Sequence, residues 1–156
     1  MVRKLSYSFS LIAVLLLFFS ACEKDDICLE PATPKLVIRF YDITNPDEFK
    51  AVEDLQIVLD SQSDTIKFGT KDSIAIPLDV NNNSCQYKFI TGTNPDVLVF
   101  TYQREDVFIS KTCGYKTYFH QLAVDIQPDI DNWIRQIEII HNSVTIDTIA
   151  HVKVYH

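Results

Sequence analysis

From residue 36 onward, hydrophobic and polar positions alternate in short runs, and turn chemistry separates the runs. In residues 35–43, Leu36, Ile38 and Phe40 fall on one side and Lys35, Val37, Arg39 and Tyr41 on the other, which is the period of a half-buried strand. Asn45-Pro46-Asp47 ends it. Residues 55–60 predict a second strand and 65–68 a third, with 61–64 turning between them, and 73–78 predict a fourth. Asn81-Asn82-Asn83-Ser84 predicts a loop, because these side chains compete for backbone hydrogen bonds and tolerate positive φ. A strand over 86–91 follows, closed by Gly92-Thr93-Asn94-Pro95. Residues 96–103 form the most strand-like run, rich in Val, Leu, Phe and Tyr. Arg104, Glu105 and Asp106 read as a tight connection from it into a strand over 107–111, the two making a hairpin.

Residues 117–126 and 133–141 predict two more strands, separated by a polar turn containing Pro128, Asp129, Asp131 and Asn132. A helical turn within 129–140 competes with this, since Ile130, Trp133, Ile134 and Ile137 fall at helical spacing. Residues 144–149 and 151–155 complete the series. Eight or nine short strands with turn signals every 8–12 residues point to an all-β sandwich or barrel. With only three glycines in the chain, the tight corners of a small closed barrel are hard to make. The expected fold is an immunoglobulin-like antiparallel β-sandwich over residues 35–156.

The first residues follow another pattern. Arg3 and Lys4 precede an apolar stretch, 11–19, and the small residues Ser20 and Ala21 precede Cys22, which is the layout of a secretory signal peptide. The apolar stretch is about half the roughly twenty residues a membrane-spanning helix needs. Phe19-Ser20-Ala21-Cys22 resembles the lipobox of bacterial lipoproteins, with an aromatic residue at the position Leu usually takes. The resemblance implies cleavage before Cys22 and a membrane partner, reached through acyl chains on that cysteine. One acyl chain binds membranes only marginally, at about 0.8 kcal/mol per buried methylene, so stable anchoring takes two or three. Residues 22–34 are then an acidic tether. Within it, Lys24-Asp25-Asp26 resembles the export tag that sends lipoproteins of Bacteroidota to the outer leaflet of the outer membrane, which would turn the domain outward.

Removing residues 1–21 leaves 135 residues, the size of one ordinary domain. It also removes Arg3 and Lys4, so 12 basic residues stand against 21 acidic ones, a net charge of −9 with histidine neutral. No basic run or stripe is visible, which excludes nucleic acid as a partner. Three cysteines remain beside Cys22, namely Cys28, Cys85 and Cys113. An envelope address is oxidising enough for disulfides, but three thiols permit one bridge and one leftover, and sequence does not choose the pair. Cys28 with Cys113 is favoured, because Cys28 begins the ordered region and the bridge would tie that entry to the core, leaving Cys85 as a small buried apolar residue.

Few residues fall into patterns that carry chemistry. Gly-x-Ser-x-Gly is absent, and Gly69, Gly92 and Gly114 stand too far apart for a phosphate-cradling loop. Cys113-Gly114 with His120 could form a thiol nucleophile and its base, but no third orienting group is marked, and a disulfide accounts better for the cysteine. The four histidines do not fall at metal-ligand spacings and read as isolated surface residues. Asp125, Asp129, Asp131 and Asn132 offer oxygen ligands without the glycine of an EF-hand loop, so a solvated turn is expected and no metal or cofactor. Among Tyr102, Phe108, Tyr115, Tyr118 and Phe119, the phenylalanines read as core, while Tyr115 and Tyr118 are the candidates for stacking on a sugar ring or a partner's side chain.

As a whole, Asp25-Asp26-Ile27-Cys28, the strand at 36–41, Phe108-Ile109-Ser110-Lys111-Thr112-Cys113-Gly114-Tyr115 and His151-Val152-Lys153-Val154 resemble an uncharacterised family of small Bacteroidota envelope lipoproteins. The resemblance implies location and fold, carries no catalytic residues, and adds weight to pairing Cys28 with Cys113. The expected role is a non-enzymatic binding or structural module on the outer membrane. The alternatives are a surface accessory of an uptake complex that binds glycan or protein, and an envelope hydrolase or thiol enzyme, which would need titratable groups converging in a cleft.

Overall fold

The computed structural model describes residues 28–29, 32–59 and 65–156, so Cys22 and the turn expected at 61–64 lie outside the described residues. Nine strands follow in chain order: β1 (Leu36–Tyr41), β2 (Val52–Leu59), β3 (Thr65–Lys71), β4 (Ser73–Ile76), β5 (Ser84–Thr91), β6 (Asn94–Ser110), β7 (Gly114–Ile126), β8 (Gln136–Ile139) and β9 (Val152–Tyr155). They form two sheets, ordered β4-β1-β9-β8 and β3-β2-β5-β6-β7. One hydrophobic core draws on both, with Ile38, Phe40 and Val154 from the first sheet and Ile57, Phe89, Phe100 and Phe119 from the second, all fully buried. Each such side chain contributes about 1.5–3 kcal/mol by leaving water. This is the β-sandwich that the alternation predicts.

The four-stranded sheet is mixed, which strict antiparallel pairing does not anticipate. β1 pairs antiparallel with β4 but parallel with β9, in the register Ile38↔Val152 to Tyr41↔Tyr155. β9 therefore sits between β1 and β8, and Val152, Val154 and Tyr155 are all buried there.

Two breaks in the period of 2 shape the five-stranded sheet. In β7, Phe119 and Leu122 are three apart, yet both are buried. The register with β6 slips between Thr101 and Gln103, and Gln121 takes up the extra residue at φ 52, so the strand changes phase and both apolar side chains face inward. β2 repeats the device: Val52 and Leu55 are both buried, the register with β3 slips between them, and Asp54 stands at φ 47. At the hairpin joining β5 and β6, Thr91 pairs with Asn94 across Gly92-Thr93, with Gly92 at φ 58, as two-residue hairpin turns require.

Three expectations need correction. Arg104, Glu105 and Asp106 are not a connection: they lie inside β6, paired with Phe119, Tyr118 and Thr117, and one continuous strand replaces the expected hairpin. None of the three supplies turn geometry, and the actual reversal lies at Lys111-Thr112-Cys113 before Gly114 at φ 71. Residues 144–149 form no strand. Val144 makes a single bridge to Phe119, and Leu122 donates its N–H to the Asn142 carbonyl, so this segment covers part of the exposed edge of β7. The strand expected at 133–141 shrinks to β8, and the helical alternative does not form either. Asp96 takes the Ile134 N–H and Asn132 takes the Asp129 N–H, while Ile130 is fully exposed.

Candidate functional site

β5 pairs with β6 only as far as Thr101. Beyond that point β6 and β7 continue as a two-stranded ribbon, through Phe108↔Tyr115 to Ser110↔Gly114. Toward its tip, past the buried Phe119 and Thr117, the side chains meet water. Phe108 is 55% exposed and Tyr115 72%, and their rings meet edge to face at 5.4 Å between centroids. Phe108, expected in the core, is therefore a surface residue, whereas Phe119 is buried as expected.

The register separates the two tyrosines singled out from sequence. Phe108↔Tyr115 and Asp106↔Thr117 share one face of the ribbon, while Glu105↔Tyr118 and Val107↔Lys116 share the other. Tyr115 and Tyr118 thus cannot form a single stacking platform, and Phe108 is the partner that sequence reasoning missed. Lys116 lies over the Tyr118 ring at 5.3 Å on the far face.

Local bonds fix this tip. The Cys113 N–H donates to Ser110 Oγ at 3.0 Å, shaping the turn, and Cys28 and Cys113 are joined by a disulfide. The bridge brings Leu29, 90% exposed, to the same end of the molecule. Farther along, the Thr117 N–H donates to Thr33 Oγ1 and its hydroxyl to Asp106, so Thr33 lies beside the ribbon shortly before β1. At the ribbon's root Arg104 donates to Asn83 Oδ1 and to the Val80 carbonyl, holding the loop before β5.

The remaining candidates are occupied elsewhere. Cys113 is in its disulfide, and the His120 ring lies between Glu105 at 2.8 Å and Ser143 at 3.3 Å. Cys85 is a buried free thiol, and burial, the largest cause, pushes its pKa up, which keeps it protonated and inert. Asp129 accepts from the Asp131 N–H and Asn132 from the Asp129 N–H, so both side chains are engaged within their own turn. Among the described residues, no three metal-ligating side chains converge.

Two buried polar groups were missed from sequence. His151 is fully buried, which corrects the reading of surface histidines: its N–H donates to the Val37 carbonyl at 2.9 Å, and its Nδ1 accepts from the Val37 N–H at 3.1 Å. The ring stands in for a strand neighbour, and desolvation, reinforced by nearby His141, holds its pKa below the usual imidazole range. Asp96 is fully buried as well and accepts from Ile134 at 2.7 Å, with burial pushing its carboxyl upward. Asp96 was legible, since it precedes the inward Leu98, Phe100 and Tyr102 at a spacing of two. Nothing comparable marks His151, which falls just before a strand buried on both sides.

A model of a family of unknown function, DUF6452, matches residues 49–156. The chain belongs to that family. The DUF6452 match takes in the whole ribbon and Cys113 but begins after Cys28, so half of the bridge lies outside the matched stretch. No curated protein and no solved structure gives a significant match to the chain.

Proposed function

We propose that this DUF6452 protein is an envelope lipoprotein of the Bacteroidota type, cut before Cys22, held to the outer membrane by acyl chains on that cysteine, and acting as a non-enzymatic binding or structural module. The observation that carries the reading is the disulfide between Cys28 and Cys113. Such bridges persist in oxidising compartments, so it supports export, and it lies six residues beyond the lipobox-like Phe19-Ser20-Ala21-Cys22. Lys24-Asp25-Asp26 supports the outer leaflet. A binding or structural role is favoured over catalysis because the cysteine and histidine that could have formed a nucleophile pair are engaged in other bonds, while the ribbon exposes an aromatic pair.

The test is the intact mass of the protein from native membranes, wild type beside Cys22→Ala, combined with protease shaving of whole cells. The expected result is a chain beginning at Cys22 with an acyl-sized addition that the variant lacks, digested in intact cells. An unmodified, soluble wild-type protein would overturn the proposal. An acylated protein that resists shaving until cells are opened would keep the anchor and move it to the periplasmic side.

A further inference from the structure

Chain length and the disulfide together fix which end of the domain meets the membrane. Cys28 lies six positions after Cys22, and six residue steps span at most about 20 Å when fully extended. Cys28 is then bonded to the turn of the ribbon, with 5.0 Å between its Cα and that of Cys113. A chain anchored at Cys22 holds the ribbon tip within that reach of the bilayer, and β6 leads from the tip into the body of the sandwich.

The tied end carries Leu29, Phe108 and Tyr115, all exposed, with Lys111 in the turn, while Lys116 stands on the ribbon's other face over Tyr118. Aromatic rings concentrate at membrane–water interfaces, and lysines reach headgroup phosphates while their stems stay in apolar surroundings. The nearest acids of the ribbon face other partners, Asp106 accepting from Thr117 and Glu105 meeting His120. The domain over residues 35–156 carries 11 basic and 17 acidic residues, a net −6 that an anionic surface repels, and the tether carries a further −3, so the apolar rings and Lys111, and not net charge, favour contact at this end. The anchor also supplies a high effective concentration, so a contact too weak to recruit the free domain can still orient the tethered one.

We propose, resting on the acylation of Cys22 argued above, that the tip formed by Leu29, Phe108 and Tyr115 docks on the lipid headgroup layer, so that the sandwich stands on its ribbon with the opposite end presented outward. The single tryptophan supplies an internal control. Trp133 donates to the Phe89 carbonyl beside Asp96, twelve residues along β6 from Phe108, or about 40 Å at strand rise.

The experiment uses full-length acylated protein in vesicles of phosphatidylethanolamine and phosphatidylglycerol, with and without brominated acyl chains that quench nearby indoles. Wild type, reporting Trp133 alone, is expected to keep its emission in the brominated vesicles. The Tyr115→Trp protein is expected to lose most of its added emission, and Phe108→Trp provides a second probe at its less exposed neighbour on the same face. Adding Cys28→Ser to Tyr115→Trp is expected to restore much of the lost emission, because the tip is no longer tied to the tether. Acylated, vesicle-bound protein whose added indole is no more quenched than Trp133 would overturn the docking proposal and leave the anchor standing. Protein that carries no acyl mass and stays out of the vesicles would overturn both.

Discussion

The two halves of β6 carry the same kind of alternation and meet opposite fates. In the root half, Leu98 and Phe100 are fully buried and Tyr102 nearly so, because β5 and β7 flank the strand and the other sheet covers it. In the tip half, the alternation continues through Arg104, Asp106 and Phe108, but β7 is the only strand neighbour and the aromatic ring stays in water. Alternation specifies a strand. Burial needs a second layer, and a single strand's sequence does not reveal where that layer stops.

The largest contrast should come from truncating one ring in each half. Phe100→Ala removes a fully buried side chain and is expected to cost about 3–5 kcal/mol, from lost transfer energy and the cavity left behind. Phe108→Ala removes a half-exposed ring and is expected to change stability by no more than about 0.5–1 kcal/mol, most of it the aromatic pair with Tyr115. Equilibrium urea unfolding monitored by Trp133 measures both. Equal losses would mean that the tip is covered in solution and would break the comparison.

The bridge is the next lever. It closes a loop of 85 residues, so its removal by Cys28→Ser is expected to cost up to about 4.6 kcal/mol in the chain-entropy model, and commonly less. The loss should be local as well as global: amide exchange at Phe108–Gly114 is expected to rise more than at Leu98–Tyr102, where sheet pairing on both sides persists. Uniform acceleration along β6 would show that the ribbon and the body open as one unit.

The same contrast explains what could be read from the chain in advance. Most of the strands, the sandwich and a turn beginning at Gly92 were legible, because each rests on local alternation and turn chemistry, though Asn94 and Pro95 belong to β6 and not to the turn. The continuity of β6 was not, since Arg104-Glu105-Asp106 is as polar as a turn, although it lacks the Gly or Asn a turn would use. Phe108 was misplaced for the same reason: its neighbours on the ribbon face, Asp106 and Arg104, were the available sign that this half is solvated. The parallel pairing of β1 with β9 depends on contacts more than a hundred residues apart, which no local pattern encodes. Cys22, by contrast, lies outside the described residues, so its role rests on the sequence pattern alone.

His151 offers a smaller, pH-dependent contrast between body and tip. Its folded pKa is depressed by burial, so the folded protein resists a proton that the unfolded chain accepts near pH 6.5. His156, also lowered chiefly by burial, acts in the same direction. The associated stability is fully present above about pH 6.5 and is lost as pH falls below it. His151→Gln is expected to flatten part of that decline, while losing some stability at neutral pH because a buried acceptor for the Val37 N–H is disturbed. Unfolding curves at a series of pH values give the slope. A wild-type slope unchanged in His151→Gln would assign the acid sensitivity to other groups.

The smallest effect sits at the boundary between the halves. Gln121 holds φ 52, a conformation that costs a residue with a Cβ roughly 1–2 kcal/mol, and its bulge is what turns both Phe119 and Leu122 inward. Glycine adopts that geometry freely but loses more backbone freedom on folding, by about 0.5–1 kcal/mol. Gln121→Gly is therefore expected to be neutral to stabilising by up to about 1 kcal/mol, the reverse of what glycine does within a regular strand. The side chain is exposed, so little packing is lost to obscure the sign. The neighbouring Ala123, also exposed and within the regular pairing to Thr101, is the matched control, and Ala123→Gly should destabilise by about 0.5–1 kcal/mol. If both glycines destabilise equally, the bulge is not a fixed hinge between root and tip, and the change of phase that separates them must be held by the packing of Phe119 and Leu122 alone.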